Sequence, residues 1–199
     1  LVCRGTAKIY LSVPCRPDTR LFKPVRSPYN RVKIIHRRPP MEELLQTTLC
    51  YLEQNGCYLM LHRVKKKNDV NKDKWIGVGG KFEPGEDALA CVMREVREET
   101  GYVMDQPRYR GIVEFYCPPW QPERMHLYTC DRFSGEPHPC NEGDLVWVPR
   151  DQVQSLPIWQ GDKIFFDLLD REAPFFHLEL FYNGDTLVRA VLDGRELAI

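Results

Sequence analysis

The sequence predicts an α/β fold, a mixed sheet flanked by helices. Three observations predict it. Short alternating apolar runs, such as TTLCYLE (47–53) and HLELFYN (177–183), have the period of strands. Turn signals, QNG at 54–56 and GD at 184–185, join such runs into hairpins. Helical stretches at 86–100 and 160–170 lie between the strands rather than after them.

In chain order, 47–53 and 57–63 form the first hairpin across QNG, and VKKKNDVNKDK (64–74) is a charged loop. WIGVGG (75–80) is a short extended segment ending in glycines. Pro84-Gly85 turns the chain into the helix at 86–100, and Gly101 stops it. RYRGIVEFYC (108–117) and RMHLYTCDRF (124–133) are strands around a proline-rich turn, and LVWVP (145–149) is another strand. After the helix at 160–170, the runs 177–183 and 186–192 form the last hairpin. No internal repeat is present.

The 199 residues suffice for one sizeable domain and a tail. Charge divides them. Residues 1–40 hold ten Lys/Arg against one acid, Asp18, a balance of 10 − 1 = +9. Because the whole chain is neutral, 41–199 carry −9, which disfavours a body that binds nucleic acid and suits one that binds metal. Residues 1–40 are expected to be a basic, disordered tail, and 41–199 the folded domain. The first methionine is Met41, after RRPP. An organelle transit peptide, a basic arm and a native start at Met41 are the three readings of this leader. No run of 18 apolar residues exists to span a membrane as a helix. The eight cysteines form no CxxC, and several sit in apolar runs, so buried free thiols in a reducing cytoplasm are expected.

The segment GGKFEPGEDALACVMREVREETGY (79–102) carries the chemistry. On a helix, Leu89, Val92, Met93 and Val96 fall on one stripe, the expected core face. Glu95, Glu98 and Glu99 stand at i, i+3 and i+4 and crowd a second face. Such crowding is costly unless a cation sits among the acids. Oxygen ligands favour hard ions, Mg²⁺ or Mn²⁺, and magnesium usually shares its shell with substrate phosphates. The face therefore points to metal-assisted attack of water on a phosphate ester or anhydride. Gly79 and Gly80 let the backbone approach a ligand closely, and Arg94 can orient a carboxylate. A solvated Glu-rich face is the plain alternative; loop, tight turn, helix and stop in this order favour the ligand face.

These residues match a family pattern. Gly80, Glu86, Arg94, Glu95, Val96, Glu98, Glu99 and Gly101 fill G-x5-E-x7-R-E-U-x-E-E-x-G-U, where U is apolar, with Tyr102 in the last, usually aliphatic, position. The chain thus resembles the Nudix hydrolases. KWIGVGGK (74–81), NEGDLVWVP (141–149) and PIWQGDK (157–163) further resemble the MutT-type 8-oxo-dGTP diphosphatases. The resemblance implies an α/β/α sandwich with a mixed β-sheet and hydrolysis of a nucleoside diphosphate linked to another group, with a divalent metal. It implies metal ligands at the Gly79 carbonyl, Glu95, Glu98, Glu99 and Glu142. Glu95 or Glu98 would serve as base, with Arg94 in the catalytic set. Lys81 would meet a phosphate, while Trp159 would stack on a purine that Asp162 hydrogen-bonds. Two departures stand out. Ile76 replaces an Asn that contacts the base in the human-type enzyme, and Gly161-Asp162 replaces two adjacent acids.

Plainer roles exist for the outer residues: Trp159 as core, Asp162 as a helix cap, Glu142 as a loop acid. His126, in an alternating strand, is expected to be a packed or surface histidine. The expected activity is metal-dependent cleavage of an oxidised purine nucleoside triphosphate, such as 8-oxo-dGTP, to the monophosphate and pyrophosphate, in the cytoplasm. No stable nucleic-acid partner and no membrane are expected, and monomer and dimer remain equally open. The rivals are a Nudix hydrolase for another nucleoside diphosphate derivative and a non-catalytic nucleotide-binding module.

Overall fold

The computed structural model describes residues 44–65 and 69–199. The expected basic tail, 1–40, lies outside the described residues. The elements are β1 (Leu45–Gln54), β2 (Cys57–His62), β3 (Trp75–Ile76), α1 (Ala88–Thr100), β4 (Val103–Met104), β5 (Arg108–Tyr116) and β6 (Glu123–Cys130). They continue with β7 (Phe133–Ser134), β8 (Asp144–Pro149), α2 (Arg150–Val153), α3 (Asp162–Asp170), β9 (Phe176–Asn183), β10 (Thr186–Leu192) and β11 (Arg195–Glu196).

One sheet runs β11-β10-β9-β5-β6-β1-β2-β3, and β8 pairs with the other edge of β2. It is mixed: β1–β6 and β5–β9 are parallel, the other pairs antiparallel. The expected α/β/α sandwich follows from burial on both faces. Leu49 and Tyr51 of β1, with Tyr58 and Met60 of β2, pack with Phe165, Phe166 and Leu169 of α3. The intervening Cys50, Leu52 and Leu59 pack with Val92 and Val96 of α1. The alternation has period 2, as a pleated strand buried on both sides requires. Among the described residues, no helix is long and apolar enough to cross a membrane.

The first hairpin forms but does not stay closed. Asn55 and Gly56 both take positive φ, and Glu53 pairs with Tyr58 and Gln54 with Cys57. Beyond that the strands separate, and residues 75–81 enter the gap. Ile76 pairs with Leu61 on one side, and Val78 and Lys81 bridge to Cys50 and Thr47 on the other.

Leu89 corrects the expected helix face. Cys91, Val92, Val96 and Thr100 are buried, whereas Leu89 is 49% exposed. Its angular position suits the core, but it lies in the first turn, and periodicity does not say how far along the helix its cover reaches. The six described cysteines fit the expectation of free thiols: Cys50, Cys91, Cys117, Cys130 and Cys140 are buried, and Cys57 is half-buried. His126 is packed, bonding the Tyr109 hydroxyl through Nδ1 at 2.7 Å and Gln46 through Nε2 at 3.1 Å.

Candidate active site

The segment inserted between β1 and β2 positions the site. The Thr48 N–H donates to the Gly80 carbonyl at 2.8 Å, and Cys50 and Val78 exchange backbone bonds at 2.7 and 2.9 Å. A side chain at Gly79 (φ 156°) would run into the Thr48 carbonyl, and one at Gly80 into the Glu95 carboxylate. The backbone contact requires glycine at 79, whereas a side chain at 80 would push the Glu95 carboxylate from its place. The chain then turns into α1, where the Asp87 carboxylate accepts from the Ala90 N–H at 2.8 Å as N-cap.

Arg94 organises the acids of α1. Its Nε and Nη2 bond Glu86 at 2.7 and 2.9 Å, and its Nη1 bonds Glu95 at 2.8 Å and Glu98 at 3.2 Å. Nη2 also donates to the Lys81 carbonyl at 3.1 Å. One guanidinium thus fixes the helix against the glycine segment. The Arg94 contact holds the half-buried Glu86 carboxyl well below the usual range, at about 2.

The three glutamates occupy different surroundings. Glu95 and Glu99 line a cleft of about 490 Å³ with Gly79, Gly80, Lys81 and Glu142. Glu98 is largely exposed and does not line it. Burial, then the charges of Glu142 and Glu95, push the Glu99 carboxyl up to about 8. Its Oε2 is buried without a hydrogen-bond partner. An orphaned carboxylate oxygen beside two further acids is a donor set suited to a hard cation. Glu142 is paired with Arg63, which also bonds Asp69 at 2.8 Å. Arg63 therefore holds two acids of the cleft, Glu142 and Asp69, and Arg94 holds Glu95.

A side pocket of about 40 Å³ adjoins the cleft and shares Leu49, Val70, Asn71, Ile76, Glu123 and Met125 with it. Phe115, Trp159 and Asp162 complete its wall. Trp159 is only 4% exposed, and Phe115 and Tyr182 meet it edge-on at 5.1 and 4.9 Å. The Lys74 ammonium stands 4.5 Å from the ring centroid, so a base stacking on that face must displace it. Burial pushes the Asp162 carboxyl up to about 8. Asp162 does not cap α3 with its side chain; the N-cap is Gly161.

Sequence reasoning missed Arg63, Asp69, Asn71 and Glu123. The first three sit in or beside a run that reads as a charged loop, and only its fold over the cleft gives them a role. Glu123 opens β6, where burial raises its carboxyl; an acid at the head of an alternating strand was the available signal. Elsewhere among the described residues, Glu114, His177 and Glu179 bring ligand atoms within 4.8 Å of one another. Arg124 Nε already bonds Glu114 at 3.1 Å, which makes this an ion-paired cluster.

Tyr102, the departure from the family pattern, packs against Phe133 at 4.9 Å and Trp147 at 6.4 Å.

The sandwich and the glycine-fixed acidic helix together define a Nudix-type hydrolase. The chain belongs to that family: the NUDIX domain profile matches residues 45–169. An oxidized purine nucleoside triphosphate hydrolase of Danio rerio is 28% identical over 132 residues, covering 66% of this chain and 85% of the zebrafish protein. The Mus musculus protein of the same name is 30% identical over 125 residues, covering 62% and 80%. In structure, the chain is similar to a MutT protein from Bacillus halodurans, with a TM-score of 0.66 and 28% identity over 75% of this chain and 98% of that one.

Proposed function

We propose that this Nudix hydrolase cleaves oxidised purine nucleoside triphosphates, such as 8-oxo-dGTP, to the monophosphate and pyrophosphate, as a cytoplasmic enzyme of nucleotide-pool sanitation. One observation carries the reading: the acid-lined cleft and the pocket walled by Trp159 and Asp162 adjoin, with six lining residues in common. A nucleotide laid across both would place its base by Asp162 and its phosphates by Glu95, Glu99 and Lys81. The names of the zebrafish and mouse relatives support the same substrate class.

Glu95, Glu99, Glu142 and the Gly79 carbonyl would hold Mg²⁺ or Mn²⁺. Glu98, which bonds Arg94 and does not line the cleft, would have to release Arg94 to join that set. The bound ion supplies charge stabilisation for the phosphates and lowers the pKa of water. The residues of the chain do the rest. Lys81, exposed at the cleft, meets a phosphate. Glu95, held at 2.8 Å by Arg94, accepts the proton of the attacking water, and Arg94 keeps that carboxylate oriented. The buried pocket excludes water from the base.

The test is a panel of kcat/KM values with Mg²⁺ for 8-oxo-dGTP, dGTP, other triphosphates, dinucleotides and nucleotide sugars. The expected result is a clear preference for 8-oxo-dGTP. A nucleotide sugar or dinucleotide as the best substrate would replace this reading with another Nudix activity, and no turnover of any of them would favour a binding module.

A further inference from the structure

The side pocket contains a polar group that nothing in the helix pattern announces. Most of its wall is apolar, including Ile76. Its polar side chains are Asn71, Glu123, Asp162 and the indole edge of Trp159. The Trp159 Nε1–H donates to Asn71 Oδ1 at 2.8 Å. An indole N–H is a donor only, so this bond decides which way the amide is turned. The oxygen faces Trp159, and Nδ2, with its two N–H groups, is left for something else. No described residue accepts from it.

The remaining polar groups set the context. Burial raises both acids of the pocket, Asp162 to about 8. A protonated carboxyl both donates and accepts, whereas Nδ2 donates only. An edge built this way welcomes a base carbonyl. It repels a base amino group, because two N–H donors would then face each other in a site with little water. Ile76, in the same wall, cannot make either contact.

We propose that Asn71 is a specificity-determining residue: its Nδ2–H donates to the 6-carbonyl of the base, so the site selects 6-oxo-purines over 6-amino-purines. The inference rests on the reading of this cleft as a nucleoside triphosphate site, and it identifies the group that reads the base.

The test is Asn71→Asp in the full chain. The change is isosteric. It keeps an oxygen for the Trp159 indole and replaces the donor by an acceptor. The measured quantity is kcat/KM with Mg²⁺ for 8-oxo-dGTP, dGTP and dATP. The ratio of either oxo-purine to dATP is expected to fall about tenfold or more, with KM carrying most of the change. Asn71→Leu is the second variant. If Asn71 merely holds Trp159, the Leu variant lowers all three substrates alike and the Asp variant leaves the ratios within about twofold of the parent protein; that pattern overturns the proposal and leaves the functional reading standing. A parent protein that hydrolyses none of the triphosphates overturns both.

Discussion

Glu95, Glu98 and Glu99 lie within five residues, yet each has a different environment. Glu98 is exposed and leans on Arg94, Glu95 is held by the same arginine at the cleft wall, and Glu99 is half-buried with one oxygen buried and unpartnered. Their spacing was legible in the sequence; their burial was not, because neighbours at i+3 and i+4 share a face but not a depth. Glu99→Gln should reduce kcat by about a hundredfold or more while leaving the fold intact. Steady-state rates at saturating Mg²⁺, with circular dichroism as the check on folding, decide this. Near-parental turnover on the best substrate would remove Glu99 from the site. The charge at this position is already costly without a cation, so the Gln variant should not melt earlier than the parent protein.

Helix α1 shows how an element can be readable at its ends and misread along one side. Gly101 was visible as the stop and is the C-cap; the start, expected at residue 86 after Pro84-Gly85, falls at Ala88, with Asp87 as N-cap rather than a first-turn residue. Gly101 takes φ 83°, and its N–H donates to the Arg97 carbonyl at 2.9 Å. A Cβ there would also run into the Glu136 carbonyl. Gly101→Ala should therefore cost about 1–2 kcal/mol from conformation alone, with the clash in addition. Urea denaturation measures it, and an unchanged midpoint with an unchanged slope would show that this end of the helix is not constrained as described. The first hairpin was legible from QNG, but its opening was not. Turn residues specify the two pairs next to the turn, and the third segment that parts the strands is held by backbone bonds to β1, which leave no mark on side-chain periodicity.

At the scale of the whole molecule, buried acids tie stability to pH. The Asp162 carboxyl is pushed up by burial from its ordinary range to about 8. Between about pH 4 and about pH 8 the unfolded chain has released this proton and the folded chain retains it, so stability falls as pH rises through that window. Asp162→Asn should flatten that fall. Thermal midpoints of both proteins from pH 5 to pH 8 test it, and parallel curves would mean that Asp162 ionises in the folded state as it does in the unfolded one.

The sequence alone pointed to the family, through a motif held in one continuous stretch, and it determined the acidic helix with its stop and the order of most strands, because these depend on local periodicity and turn chemistry. The tertiary structure decided which acids share the cleft, how Asn71 and Glu123 reach the pocket, and that Trp159 is buried beneath Lys74. The physical reason is distance along the chain. Asn71 and Trp159 are 88 residues apart, and Arg63 and Glu142 are 79 apart. Contacts of that span are made by folding, and a local pattern cannot encode which residues will meet.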